Sequence, residues 1–136
     1  MNSIAYREGY KYQLVVSYDG NIPLYPPRDI RTEYIDLNKR GEILIRRGYA
    51  WDGPSGPAVD TSNFMRGSLI HDALYQLIRQ GHLDRSMRGE SDEILRKTCV
   101  EDGMSKARAW WVYTAVKTFA QRAAMPSNEP PVLHAP

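Results

Sequence analysis

The sequence predicts an α+β fold, in which a small antiparallel β-sheet built from hairpins precedes three α-helices. Residues 10–49 alternate apolar and polar side chains between turn residues, a pattern typical of short antiparallel strands. Residues 63–124 instead repeat apolar side chains at a helical period. With 136 residues, 42% apolar and 25% charged, the chain has the size and composition of one soluble globular domain.

The β-rich part is predicted from three apolar runs and the turns between them. Residues 14–16 form the core of a first strand, which we expect to end at the turn-forming residues 19–21. Residues 34–37 form another strand, and the turn at 38–41 leads into a partner strand at 42–45. This spacing predicts a β-hairpin.

The helical part follows a loop at 50–62 that is dense in glycine and proline. Thr61 or Ser62 caps a helix that runs to about residue 80, where Gly81 stops it. A second helix is expected over 90–102, and a third, capped by Ser105, over 106–124.

We therefore predict a single domain over 1–125, with a β-rich part at 1–49, a loop at 50–62 and a helical part at 63–124. A Pro-rich tail at 126–136 has no means of packing alone.

The candidate site lies on the first predicted helix. His71 and Tyr75 are four residues apart and project from the same face, whereas Asp72 points about 100° around the axis. The apolar neighbours of His71 predict that it is partly buried and needs hydrogen-bond partners. Tyr75 can supply one partner, and Asp92 another if the first two helices pack antiparallel. We expect an imidazole nitrogen of His71 to lie within hydrogen-bond distance of an Asp92 carboxylate oxygen.

This constellation suits hydrolysis. A carboxylate on one imidazole nitrogen fixes the tautomer and leaves the other nitrogen as a general base. Asp72 then remains available to bind a hard cation together with carbonyl oxygens of the upstream residues 48–57, which also contribute Asp52 and Ser55. A base beside a cation can activate water while the cation stabilises the developing oxyanion.

A structural interpretation of the same residues stays open. A buried His–Asp pair commonly serves only to satisfy polar groups between packed helices. In that case His71, Asp72, Tyr75 and Asp92 would form a polar staple in a protein without enzymatic activity.

Five stretches of the chain carry a family resemblance: 51–57, 69–75, 91–95, 101–105 and 111–116. Together they resemble the bacteriophage and prophage family catalogued as domain of unknown function 1353. Asp52, Ser55 and Pro57 match the first element of that family's pattern, and Ser91 replaces the usual alanine before Asp92. The resemblance implies a phage or prophage origin.

A more distant resemblance concerns residues 56–60 and 71–75, which are similar to the calcium loop and active helix of secreted phospholipase A2 enzymes. It implies that His71 is the general base, that Asp72 binds calcium and that Asp92 orients the histidine. Tyr75 would be the supporting hydroxyl, and Asp60 would belong to the loop. The chain lacks that family's cysteines and its glycine-rich calcium loop.

The third predicted helix combines aromatic and basic residues and has no acid: Lys106, Arg108, Trp110, Trp111, Tyr113, Lys117 and Arg122. Such a helix either lies on an anionic membrane or covers the first helix while its charges stay solvated. Val112, Val116 and Phe119 recur at helical spacing and are expected to face inward.

Bulk features narrow the classes of partner and location. A net charge of +2 gives no indication of nucleic-acid binding. The single cysteine, Cys99, is expected to be a buried structural thiol. Because the N-terminus has no apolar signal segment, we expect a chain made in the host cytoplasm. As a virion accessory protein of the tail or baseplate, it would be incorporated in the virion and contact other virion proteins through its tail. As an enzyme, it would take membrane lipid as substrate.

Overall fold

The structure, a computed structural model, describes residues 6–7, 12–51 and 62–123. Within these ranges seven short strands precede three helices, which confirms the predicted α+β class. The strands are β1 (Tyr6–Arg7), β2 (Tyr12–Leu14), β3 (Tyr18–Asn21), β4 (Ile30–Arg31), β5 (Ile35–Leu37), β6 (Glu42–Ile45) and β7 (Ala50–Trp51). The helices are α1 (Ser62–Arg79), α2 (Arg88–Glu101) and α3 (Lys106–Ala123).

The described strands form two antiparallel sheets, in the orders β1-β2-β7 and β3-β6-β5-β4. The predicted hairpin is present as β5 and β6, which pair in register from Ile35 opposite Ile45 to Leu37 opposite Ile43. Gly41 closes the turn with φ of +80°, and a Cβ there would collide with the carbonyl oxygen of Ile22. Only glycine fits this position without strain.

The expectation that residues 19–21 end a strand is wrong. These residues lie inside β3, which pairs with β6 from Tyr18 opposite Ile45 to Asn21 opposite Glu42. The ladder of backbone hydrogen bonds to β6 overrides the weak strand propensity of Asp, Gly and Asn. The β-rich part also extends beyond residue 49, because Ala50 and Trp51 pair with β2.

The helix ends match the turn signals in the sequence. Gly81 and Gly103 have positive φ values of 82° and 102° after α1 and α2, as expected for helix stops. The hydroxyl of Ser105 accepts a hydrogen bond from the backbone N–H of Arg108 and so caps α3. No helix among the described residues is long and apolar enough to cross a membrane.

Two hydrophobic clusters hold the elements together. The larger joins both sheets to α1, and the smaller joins the start of α1 to α2 and α3. Val112 is buried in the smaller cluster and Val116 packs against it, as predicted, whereas the side chain of Phe119 lies outside the described residues. Cys99 is buried there too, and burial raises the pKa of its thiol to about 12, as expected for an inert structural thiol.

The packing of α1 on α2 depends on a glycine. An ideal Cβ on Gly67 would lie 3.0 Å from both Sγ of Cys99 and Cδ1 of Leu95. The absence of a side chain therefore lets the two helices approach closely one turn before His71. This approach places His71 opposite Asp92.

Arg66, the residue before Gly67, also joins α1 to α2. Its guanidinium donates to both carboxylate oxygens of Asp102, to Glu101 and to the hydroxyl of Tyr18. Only 11% of the Arg66 side chain is exposed. The cluster joins α1, the C-terminal end of α2 and β3, so it is a structural clamp.

Candidate functional site

The site is built on the middle of α1, where polar side chains interrupt an otherwise apolar surface. Ser68, His71 and Tyr75 are three and four residues apart and therefore share one face of the helix. Leu69 and Leu74 beside them are fully buried. The polar face is held against α2 by the packing around Gly67.

His71 and Asp92 form a direct buried hydrogen bond. Nε2 of His71 lies 2.8 Å from Oδ1 of Asp92, which confirms the predicted contact. The two residues are only 8% and 4% exposed. Because an ionised carboxylate can only accept, it holds the proton on Nε2 and leaves Nδ1 as the basic nitrogen of the neutral ring.

Tyr75 supports the carboxylate and not the imidazole. Its hydroxyl donates to the same Oδ1 of Asp92 at 2.7 Å, while its ring lies 4.2 Å from the His71 ring, measured between centroids. Burial and the bond to Asp92 raise the pKa of the Tyr75 hydroxyl, so it stays protonated and donates. The expectation that Tyr75 would bond to His71 directly is therefore wrong, because the Tyr75 hydroxyl bonds to the carboxylate that holds His71.

Asp72 lies on the other side of the imidazole. Its Oδ1 is 3.8 Å from Nδ1 of His71, which is too long for a hydrogen bond, and a third of its side chain is exposed. Burial alone would lower the pKa of His71, but the carboxylates of Asp72 and Asp92 outweigh it and raise that pKa. The imidazole thus sits between two acids, one buried and bonded, the other open to solvent.

The predicted loop residues Asp52, Ser55, Pro57 and Asp60 lie outside the described residues. The anchors of the segment 52–61 are described, because Trp51 ends β7 and Ser62 begins α1. Nε1 of the buried Trp51 donates to Oγ of Ser68 at 3.0 Å.

This bond ties the chain immediately before the loop to the turn of α1 that precedes His71. Sequence reasoning missed Ser68 as part of the site. The available signal was its position three residues before His71, on the same helix face.

Asp72 is the acid of this site whose carboxylate is partly open to solvent. It offers a partly exposed carboxylate beside the imidazole, and hard cations take such oxygens. The described part of the chain contains no group of three His, Cys, Asp or Glu residues that could hold a metal ion. A cation at Asp72 would therefore need further oxygen ligands, and the loop residues predicted to supply them lie outside the described residues.

Comparison with known proteins gives a family. Residues 30–116 match the family model described as "Protein of unknown function (DUF1353)". No curated protein and no solved structure matches. Since the match covers more than half of the chain, the chain belongs to this family.

Proposed function

We propose that this family member is a phage-encoded, calcium-assisted ester hydrolase that attacks phospholipid at the host envelope, with His71 as its general base. The observation that carries the proposal is the hydrogen bond from Nε2 of His71 to the buried carboxylate of Asp92. It fixes the tautomer in which Nδ1 has the free lone pair. The proposal also uses the similarity of residues 71–75 to the active helix of secreted phospholipases.

In the proposed reaction, Nδ1 of His71 takes a proton from water, and the resulting hydroxide attacks the ester carbonyl carbon. The ester C–O bond then breaks, and the imidazolium returns its proton to the departing alkoxide. The products are a fatty acid and the free alcohol of the lipid. Asp92 stabilises the transient imidazolium, and Tyr75 holds Asp92 in place through its hydroxyl.

Asp72 would hold the calcium ion, together with carbonyl oxygens of the predicted loop at 48–57. Bound calcium would supply positive charge for the oxyanion that develops on the carbonyl oxygen. The exposed third of the Asp72 side chain and its position beside the imidazole support this assignment.

The test is release of fatty acid from vesicles of anionic phospholipid in the presence of calcium. Wild-type protein should release fatty acid, and His71→Asn and Asp72→Asn should each lose about a hundredfold or more of the rate. Glu93→Gln, which changes a partly exposed acid next to Asp92, is the matched control and should keep the wild-type rate. No release by the wild-type protein at several tens of millimolar calcium would overturn the hydrolase.

Calcium binding is tested separately by thermal melting. One carboxylate and a few carbonyls predict a dissociation constant nearer millimolar than micromolar. At ten times that constant, calcium should stabilise the wild type by about 1.4 kcal/mol. Asp72→Asn should show no such response, and an equal response in both proteins would place the ion elsewhere.

The second candidate is a virion accessory protein of the tail or baseplate, in which the cluster is a structural staple. The burial of both His71 and Asp92 favours it, because a catalytic base needs access to water. This candidate predicts no hydrolysis. It also predicts that phage particles contain the chain, which mass spectrometry of purified virions would detect.

A further inference from the structure

The face of α3 that points away from the core carries two exposed tryptophans. Trp110 and Trp111 are 59% and 48% exposed, whereas Ala109 and Val112 on the opposite face are buried against α2. Two adjacent large aromatic side chains left open to water are unusual on a protein surface and commonly mark a binding surface.

Positive charge lies on the side of this face that carries Trp110. Lys106 lies four residues before Trp110, and Lys117 lies four residues after Tyr113, so helical spacing brings these side chains together. The rings of Trp110 and Tyr113 are 5.4 Å apart, and the Lys117 ammonium lies 5.8 Å from the Tyr113 ring, both measured to ring centroids. Both lysines are exposed, and α3 contains no acidic residue.

We propose that this face of α3 docks on an anionic phospholipid bilayer, with the helix lying in the plane of the interface. Tryptophan and tyrosine rings favour the headgroup layer, where one end of the ring system is apolar and the other is wet. Lysines on the same face are attracted by anionic headgroups. The combination of interfacial aromatics and unopposed positive charge fits a lipid surface.

A second copy of this chain fits the face less well. A two-fold contact through α3 would place each positive helix against its own symmetry mate. Since α3 supplies no acid to pair with Lys106 or Lys117, like charges would face each other across the contact. An anionic bilayer supplies the missing negative charge.

The position of α3 is consistent with a lipid substrate. Ala109 and Val112 pack in one cluster with Phe64, which lies in the first turn of α1, directly after the loop 52–61. A bilayer on the outward face of α3 would therefore lie one helix away from the first turn of α1. The link between docking and a lipid substrate rests on the proposed phospholipid hydrolase, whereas binding to the bilayer requires no hydrolysis.

The test is co-sedimentation with phosphatidylglycerol-containing vesicles and with pure phosphatidylcholine vesicles, using His71→Asn protein so that the lipid stays intact. We expect binding at least about tenfold tighter to the anionic vesicles. The double variant Trp110→Ala/Trp111→Ala should lose about tenfold in affinity, and Lys106→Glu/Lys117→Glu should lose the preference for anionic lipid. Two variants are the matched controls: Lys97→Glu alters an exposed lysine of α2, and Tyr25→Ala removes an aromatic side chain, 63% exposed, from the connection between β3 and β4.

Tryptophan fluorescence gives an independent readout. Of the three tryptophans, Trp51 is already buried, so a blue shift on adding anionic vesicles reports on Trp110 and Trp111. The shift should disappear in the variant Trp110→Phe/Trp111→Phe.

Three results would overturn the docking surface. They are absence of binding to the anionic vesicles, undiminished binding by the double alanine variant, and a protein dimer that this variant abolishes in analytical ultracentrifugation. Vesicle binding through α3 without fatty-acid release by the wild type would refute the proposed hydrolase activity and leave the docking surface in place. Fatty-acid release by the wild type, together with undiminished vesicle binding by the double alanine variant, would refute the docking surface alone.

Discussion

Replacing Asp92 with alanine tests whether the His–Asp contact is as buried and as well bonded as its geometry indicates. The change removes the acceptor for Nε2 of His71 and for the hydroxyl of Tyr75. Leaving the buried imidazole N–H without a partner costs roughly 1–3 kcal/mol. The half-buried Tyr75 hydroxyl can be rehydrated, and relief from burying a carboxylate offsets part of the loss. We therefore expect Asp92→Ala to lower the free energy of unfolding by about 1–3 kcal/mol.

Urea unfolding at pH 7 measures this loss, with two companion variants. Asp92→Asn keeps an acceptor oxygen for both donors and should lose less than about 1 kcal/mol. Glu93→Ala removes a partly exposed acid that pairs with Arg96 and should lose no more than about 0.5 kcal/mol. If Asp92→Ala and Glu93→Ala prove equally stable, the pair is solvated and the packing argument is wrong.

Three further predictions concern pH, helix packing and the arginine clamp. Because the pKa of His71 is raised in the native state, its stabilising contribution is full below about pH 6.5 and is lost as the pH rises through the native pKa. Urea unfolding of the metal-free wild type should show a free energy of unfolding that declines between pH 6 and 9. The His71→Asn variant should lack this decline, and an equal decline in both proteins would refute the prediction. Gly67→Val should destabilise the protein by about 1–3 kcal/mol through overpacking. Gly89 lies in open space in the first turn of α2, so Gly89→Ala should stabilise the protein by about 0.5–1 kcal/mol. Thermal melts of both variants should therefore place the melting temperature of Gly89→Ala above, and that of Gly67→Val below, that of the wild type. Arg66→Ala should cost on the order of 2–3 kcal/mol, because it leaves the carboxylate of Asp102, only 15% exposed, without its guanidinium; a loss below about 0.5 kcal/mol in urea would show that the clamp is solvated.

The helices were predictable because their signals are local. Gly81 and Gly103 stop α1 and α2 by adopting positive φ, and Ser105 caps α3 with its own hydroxyl. The strands depend on partners that are distant in sequence. Residues 19–21 look like a turn alone, and only their pairing with β6 makes them a strand. The division of the strands into two sheets depends on such pairings, and no short-range sequence pattern predicts it.

The site was predictable to the level of its central pair. The spacing of His71 and Tyr75, together with an acid on the next helix, predicted the contact with Asp92. The hydrogen-bond partner of the Tyr75 hydroxyl was not predictable, because it depends on how far the Asp92 side chain reaches between the helices. The hydrogen bond from Trp51 to Ser68 was likewise not predictable, since it joins a strand and a helix that meet only after folding.

The most direct test of the proposed site is a high-resolution crystal structure of the protein with bound calcium. The proposed function predicts an ion at about 2.3–2.6 Å from a carboxylate oxygen of Asp72, the usual range for calcium. It further predicts carbonyl oxygens of residues 48–57 among the ligands and an ordered water within hydrogen-bond distance of Nδ1 of His71. An ion bound away from Asp72, with Nδ1 of His71 bonded to another protein group and closed to solvent, would contradict it.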